Sequence, residues 1–305
     1  MENKKPLINK HKLGNKPTPA TVILFIAFII YCVVLFLPIF WSMFASLMTD
    51  DSFREIFGSV KNYTAIRHFT FDNFANAWKN IEIVVDGFPM HIGDLFLNSI
   101  IYSVGCATMI TLSPLIVSYA AARFKFKFSS VIYTFVLIAM ALPIVGASAS
   151  ELRLLDTLHL RDNYIVSFFA MFILRFNFLG INFLLFHAQF ESIPKAYTES
   201  AKIDGASNLR TMLRIIVPQA KNTIVTVFIL SFIMYWNDFQ IPFLYMPQNP
   251  TVSTAVYFVT DSSANFTTVP KILAAIILLT LPIIILFIAI NKRIRVSVDM
   301  GGIKQ

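Results

Sequence analysis

The chain has 305 residues, 56% of them hydrophobic and only 14% charged, and a net charge of +8. Soluble domains carry about a quarter charged residues, so this composition excludes an ordinary water-soluble fold and points to lipid as the solvent. The excess of cations does not indicate nucleic acid: it is spread along the edges of apolar runs, with no groove-reading motif, and membrane orientation and anionic lipid account for it.

In chain order, residues 1–19 form a basic segment with five lysines, followed by a first transmembrane helix over residues 20–47. Its core, Thr21 to Phe44, is uncharged, too long for the apolar part of a secretory signal, and lacks a small-residue cleavage site, so it reads as a retained span. Residues 48–94 contain seven acidic and four basic residues and the aromatics Phe69, Phe71, Phe74 and Trp78. They are expected to form an extracytoplasmic cap with short helices, Asp72 capping one over Asn73 to Asn80, and a docking surface for an external partner.

Residues 95–291 hold the transmembrane core. Leu95 to Ala122, Phe128 to Ser150 and Ile272 to Asn291 are long enough to cross about 30 Å of hydrocarbon without a charge. Tyr164 to Phe190 and Thr223 to Phe243 are long enough too, each with one charge, Arg175 and Asp238. Six transmembrane helices are therefore expected, in an all-α polytopic membrane protein. Lys and Arg number five before the first span, three in the second loop, five in the fourth loop and four in the tail 292–305; the opposite loops hold seven over a longer stretch. Both termini are therefore expected in the cytoplasm. Cys32 and Cys106 lie inside spans, which supports neither a disulfide framework nor a metal site.

The loop over 191–221 differs from the others. Pro194 suits a first helical turn and Gly205 a left-handed C-terminal cap, bracketing a short helix. Ser200, Ala201 and Ala206 offer a small-residue face around Glu199, shaped to enter a partner's cleft. Leu209, Met212, Leu213 and Ile216 then recur at helical spacing, giving a second, amphipathic helix. Short interfacial helices of this kind also occur in membrane proteins with no docking role.

Glu199-Ser200-Ala201, three residues, Gly205, and later Val217-Pro218 resemble the signature loop of the inner-membrane permeases of ATP-binding-cassette importers, with Ser and Val standing where that family usually has Ala and Leu. Asn98-Ser99, Tyr119 to Phe124, Trp236-Asn237-Asp238-Phe239 and Gly301 to Lys304 are similar to the sugar-importing branch and its shorter, maltose-permease-like subunit. The likeness departs after Pro143, where Ala147 to Leu152 replace the usual sequence.

The resemblance implies a type I ABC importer permease fold and a bacterial inner-membrane location. It also implies a second, related permease subunit, two ATP-binding subunits and an extracytoplasmic solute-binding protein. The chain carries no phosphate-binding loop, so ATP and Mg would be used by the partner subunits, with no cofactor or metal bound here. Glu199, Ser200, Ala201, Asp204 and Gly205 would couple to the ATPase, Glu199 as a charge partner.

Lone polar groups within the membrane mark a solute path or pair with one another. Asn98, Arg175, Tyr235, Trp236, Asn237 and Asp238 are the candidates, amides and aromatic faces being common in sugar sites. Arg175 and Asp238 differ by about 8 Å in depth, which would let a long Arg side chain pair with the carboxylate. Other readings remain open: a related importer of a non-sugar solute such as glycerol phosphate or a polyamine, a membrane-embedded enzyme, or a channel or receptor working alone. His68, His91, His159 and His187 share no metal-ligand spacing, and no Ser-His-Asp or paired-carboxylate cluster stands out.

Overall fold

A computed structural model describes residues 18–58, 68–85, 87–124, 128–142, 147–260 and 268–301, with side chains of the last helix as far as Ile285 and at Ile288. The basic N-terminal lysines, Lys125, Lys127, the stretch directly after Pro143 and the final Gly302 to Lys304 lie outside these residues.

Helix α1 (Pro19–Ser46) starts on the Thr18 side chain, which accepts a bond from the Thr21 N–H, and has Pro19 at its first position, where no N–H is needed. Nearly all its side chains from Val22 to Phe44 are exposed, as an apolar helix bathed in lipid requires, and it packs on α15 (Val269–Gly301). At its far end sits the cap: α2 (Asp50–Phe57), α3 (Asp72–Asn80) and a hairpin of β1 (Glu82–Val85) and β2 (Phe88–His91), turned at Gly87 with φ +85°. The hairpin is an addition to the all-helical expectation. Helix α3 begins one residue earlier than expected: Asp72 is its first residue, with the Asp72 N–H held by Thr70 Oγ1. Asn73 anchors the cap, its buried amide donating to the carbonyls of Ser46 and Met48, both at 2.8 Å.

The cap is also tied to α15. The Asp50 carboxylate accepts from Lys271 Nζ and Thr268 Oγ1, each at 2.6 Å. Burial acts to raise the Asp50 pKa, but these hydrogen bonds and the Lys271 charge outweigh it, leaving it below its ordinary value. A depressed carboxylate contributes stability that is present above its unfolded pKa of about 3.9 and lost as pH falls through the lower folded value. The tether should therefore hold at neutral and mildly acidic pH, whereas Asp50→Asn should release it at every pH. Faster amide exchange over residues 50–57 in the variant at pH 7 is the expected readout; unchanged exchange would contradict the tether.

Helix α4 (Ile92–Arg123) is the central strut, packed against α7 (Tyr164–Arg175), α8 (Ile181–Ser192), α12 (Lys221–Asn237) and α14 (Val252–Thr260). Gly105 lets α7 come close, since a Cβ there would overlap the Phe172 ring. Tyr102, Cys106, Met171, Phe168 and Tyr235 fill the resulting core.

Among the described residues, α1 and α4 are long and apolar enough to cross a membrane alone, and α12 meets the helical stretch Asn208–Gln219 at a bend of 76°, a pair that reaches a span's length only when counted together. The sixth lies within α15, one helix over the whole uncharged run Ile272 to Asn291. The remaining expected spans are shorter or interrupted: the third is α5 (Ser129–Ala141), followed by α6 (Ala147–Thr157). The fourth breaks between Arg175 and Ile181, separating α7 from α8. The fifth ends at Asn237, not Phe243, because Asp238 leaves the helical conformation and its carboxylate caps the start of α13 (Gln240–Tyr245).

Candidate functional site: a braced loop and an intramembrane polar cluster

Helix α9 (Ala196–Ile203) is two residues shorter than the bracketing Pro194 and Gly205 suggest, and it ends as they require. Gly205 has φ +72°, its N–H bonds to Lys202 O, and the Ala206 N–H reaches back to Ala201 O at 2.9 Å. This pair of bonds forms a Schellman stop, which needs a left-handed residue at Gly205. Upstream, Arg123 at the end of α4 donates from Nη2 to the Ile193 carbonyl at 2.7 Å, pinning the chain just before Pro194.

Downstream, α10 (Asn208–Thr211) starts on Ser207 Oγ, and residues Met212–Ile216 form a π-helical turn leading into α11 (Val217–Gln219). The Val217 N–H bonds to Met212 O, five residues back, and Pro218 next to it has no N–H to offer. Ile216 is fully buried beside Ile193, Phe190 and Tyr119, so both ends of the loop are seated in one core.

The expected docking face needs one correction. Ala201 is buried against the chain itself, so it holds α9 in place and does not enter a cleft. Glu199, Ser200, Asp204 and Gly205 are exposed. Sequence reasoning missed the apolar part of this surface: Ile203 is 86% exposed and Tyr197 49%, with Leu209 and Leu213 on the adjoining arm also open. Ile203 directly before the Asp204-Gly205 stop was the available signal, because a bulky apolar residue at a helix end packs either inward or on a partner.

The intramembrane candidates divide into two groups. Asn98 is fully buried and its polar atoms are taken by the chain. Its Nδ2 donates to Pro250 O at 3.0 Å, and its Oδ1 accepts from Tyr164 OH at 2.5 Å. Next to it, Ser99 Oγ accepts from the Val252 N–H at 2.7 Å. Asn98-Ser99 thus pins the linker between α13 and α14 to α4, a structural task and not solute contact. Asn249, also fully buried, completes the clasp through Ser167 Oγ and Tyr164 O.

Arg175 and Asp238 form no ion pair. Asp238 instead accepts from Tyr102 OH at 3.2 Å and from the Ile241 N–H at 3.2 Å. Arg175 ends α7, where Phe176 turns away at ψ 63°; the chain then unwinds to Gly180, whose φ of +138° only glycine adopts readily. The expected direct pair fails because the carboxylate is turned towards the first turn of α13.

Trp236 and Asn237 line a cavity of about 310 Å³ with Phe239, Ser253, Tyr257 and Thr280 among its walls. Phe239 and Tyr257 stack at 5.4 Å with their planes 12° apart. Tyr235 does not line it; it is buried edge-on against Tyr102. Tyr257 and Phe239 were not among the candidates, since 18 residues of sequence and a change of helix separate them.

Residues 114–298 match the family described as binding-protein-dependent transport system inner membrane component. The chain belongs to that family. The family is one of transport components, and among the described residues no group of His, Cys, Asp or Glu could hold a metal ion. The match includes the loop with α9, the broken fourth span and the cavity.

Relatives of this permease include the diacetylchitobiose uptake system permease protein of Streptomyces coelicolor. It is 28% identical over 278 residues, which cover 90% of this chain and 85% of that protein. The melibiose/raffinose/stachyose import permease protein of Bacillus subtilis is 24% identical over 77% of this chain and 81% of its own. A crystal structure of a bacterial ABC transporter involved in import of the acidic polysaccharide alginate has a chain with TM-score 0.71 and 17% identity, covering 89% of this chain and 95% of that one. That likeness supports the type I importer permease fold.

Proposed function

We propose that this permease is one half of the translocation pathway of an ATP-driven importer for carbohydrate, oligosaccharide by preference, in a bacterial cytoplasmic membrane. The reading takes its substrate class from relatives whose names specify sugars, diacetylchitobiose and melibiose among them. In this reading the loop with α9 and both termini face the cytoplasm, and the cap with its hairpin faces outside. A related permease subunit, two ATPase subunits using ATP and Mg, and an external solute-binding protein complete the assembly.

The observation that carries the coupling role is the contrast within the loop. Both ends are seated in the transmembrane core, while Tyr197, Glu199 and Ile203 stand free on a helix stopped rigidly at Gly205. Such a helix transmits a push from an ATPase cleft to α4, α8 and α12 with little loss. Co-purification tests it: stoichiometric ATPase with sugar-stimulated hydrolysis supports the importer, and a permease that purifies alone in active form would favour a channel or receptor.

The solute path runs, in this proposal, past the cavity at Trp236, Asn237 and Tyr257. Its volume is at the small end of the roughly 300–1,000 Å³ typical of ligand pockets, and stacked rings beside amide and hydroxyl groups suit a sugar's apolar face and its hydroxyls. Tyr257→Ala should raise the half-saturating sugar concentration for uptake about tenfold, a loss of roughly 1.4 kcal/mol, with ATPase subunits still bound. An unchanged uptake curve would remove the cavity from the path.

A further inference from the structure

A second cavity flanks α14, and a run of aromatic rings joins it to the first. It has a volume of about 270 Å³ and lies beside the cap hairpin, between Val84 and Val85 of β1 and Phe243, Pro250 and Phe258. The cavity at Trp236 and Asn237 is the deeper of the two. Thr280 in its wall is twelve residues, about 18 Å, along α15 from Thr268, which binds the cap through Asp50. Phe239 and Tyr257 wall the deeper cavity, Phe243 and Phe258 the outer one. Tyr257 stacks on Phe239 and stands 5.4 Å from Phe243 and 5.8 Å from Phe258, and those last two are 5.8 Å apart.

The rings of Phe239, Phe243 and Tyr257 are 42%, 37% and 38% exposed, so the run keeps open surface along its length. The clasp on α4 fixes both cavities, because Pro250, bound by Asn98, lines one and Val252, bound by Ser99, lines the other. Hydrocarbon is a poor occupant of the deeper one. Asn237 there is exposed, and with its Nδ2 spent on Ile233 O its carbonyl oxygen has no donor among the described residues. A sugar suits both features: the C–H groups on a pyranose face are drawn to the negative face of an aromatic ring, and its hydroxyls donate to a free acceptor.

We propose that these four rings form a track along which a saccharide of two or more units passes from the cavity at the hairpin to the cavity at Asn237, one unit seated in each. The inference rests on the importer reading and sets a minimum length for its cargo. At about 270 and 310 Å³ the cavities stand at the bottom of the range for drug-sized ligands, so a chain engages both and a single unit only one. Each ring is 5.4 or 5.8 Å from the next, so a unit reaches one ring before it has left the last.

Cells expressing the whole importer are offered a mixture of linear gluco-, galacto- and chito-saccharides of one to six units, and the lengths taken up are read by mass spectrometry against cells lacking this permease. Wild type should take up chains of two or more units in preference to single units. Phe243→Leu keeps apolar volume but removes a ring, and should slow uptake of the chains about tenfold with the ATPase subunits retained, while Phe243→Tyr should stay near wild type. A second measurement asks what covers the track. With Trp41, Trp78 and Trp236 replaced by Phe, the purified complex carrying Phe243→Trp, or Phe258→Trp, is reconstituted in phospholipid; acrylamide in the water should quench the new fluorescence and dibrominated phospholipid should not.

Wild-type uptake in Phe243→Leu, or single units imported as fast as chains, would overturn the track. Quenching by brominated lipid would show rings that face the bilayer, and quenching by neither agent rings covered by the second permease subunit; each would overturn it too. Those failures leave the carbohydrate reading standing, whereas a wild type that imports no sugar of the mixture would overturn that reading and the track with it.

Discussion

Replacing Gly205 with valine should cut solute uptake about tenfold or more, while leaving the protein in the membrane and its solute selectivity unchanged. The position has φ +72°, and a Cβ there meets nothing within 4 Å, so the cost comes from the backbone alone. A β-branched residue in that conformation is a genuine outlier, and the left-handed region costs an L-residue roughly 1–2 kcal/mol. Local strain of that size need not unfold the chain. It would unwind the stop, release the Gly205 and Ala206 N–H bonds and swing the end of α9 carrying Ile203. Gly205→Asn should restore most of the uptake, because Asn tolerates the left-handed region.

Glu199→Lys changes charge at an exposed site without touching the helix stop, and should lower retention of the ATPase subunits as well as uptake. Uptake, subunit retention and sugar-stimulated ATP hydrolysis separate the two effects. Full uptake with normal retention in both Gly205→Val and Glu199→Lys would sink the coupling role of α9.

Asn98→Ala should be the most damaging single change within the membrane. It removes the donor to the buried Pro250 O and the acceptor of Tyr164 OH, whose side chain is partly exposed. The unsatisfied Pro250 carbonyl alone costs about 1–3 kcal/mol, a large share of the stability of most domains. The linker between α13 and α14 should come free, and with Val252 and Tyr257 displaced the cavity should lose its wall. Lower thermal stability of the purified complex together with loss of sugar stimulation is the expected result. Wild-type stability in Asn98→Ala would show that the clasp carries no weight.

The sequence by itself determined the features that depend on neighbouring residues. Uncharged runs locate the membrane segments, because hydrocarbon penalises every charge wherever the helix lies. Gly205 announces the end of α9, since a left-handed turn is a local backbone demand that glycine meets without strain. The short helix α9 was legible for the same reason: its Pro194 and Gly205 act within a dozen residues of one another.

Tertiary structure decided everything that depends on which distant group arrives. Asn98 reads as a sugar-binding amide until Tyr164 and Pro250, 66 and 152 residues away, are seen to use it. Ala201 and Ile203 sit two residues apart on one short helix; the fold turns the first inward and leaves the second free, a choice fixed by where the π-helical turn packs. Arg175 and Asp238 stand at similar depth, yet whether they pair depends on the rotation of each carrier. The break after Arg175 and the capping of α13 by Asp238 keep them from pairing, because a carboxylate satisfied by a tyrosine O–H and a backbone N–H gains little by leaving them. A one-dimensional pattern carries spacing and chemistry; the direction of a side chain is set by the elements that pack around it.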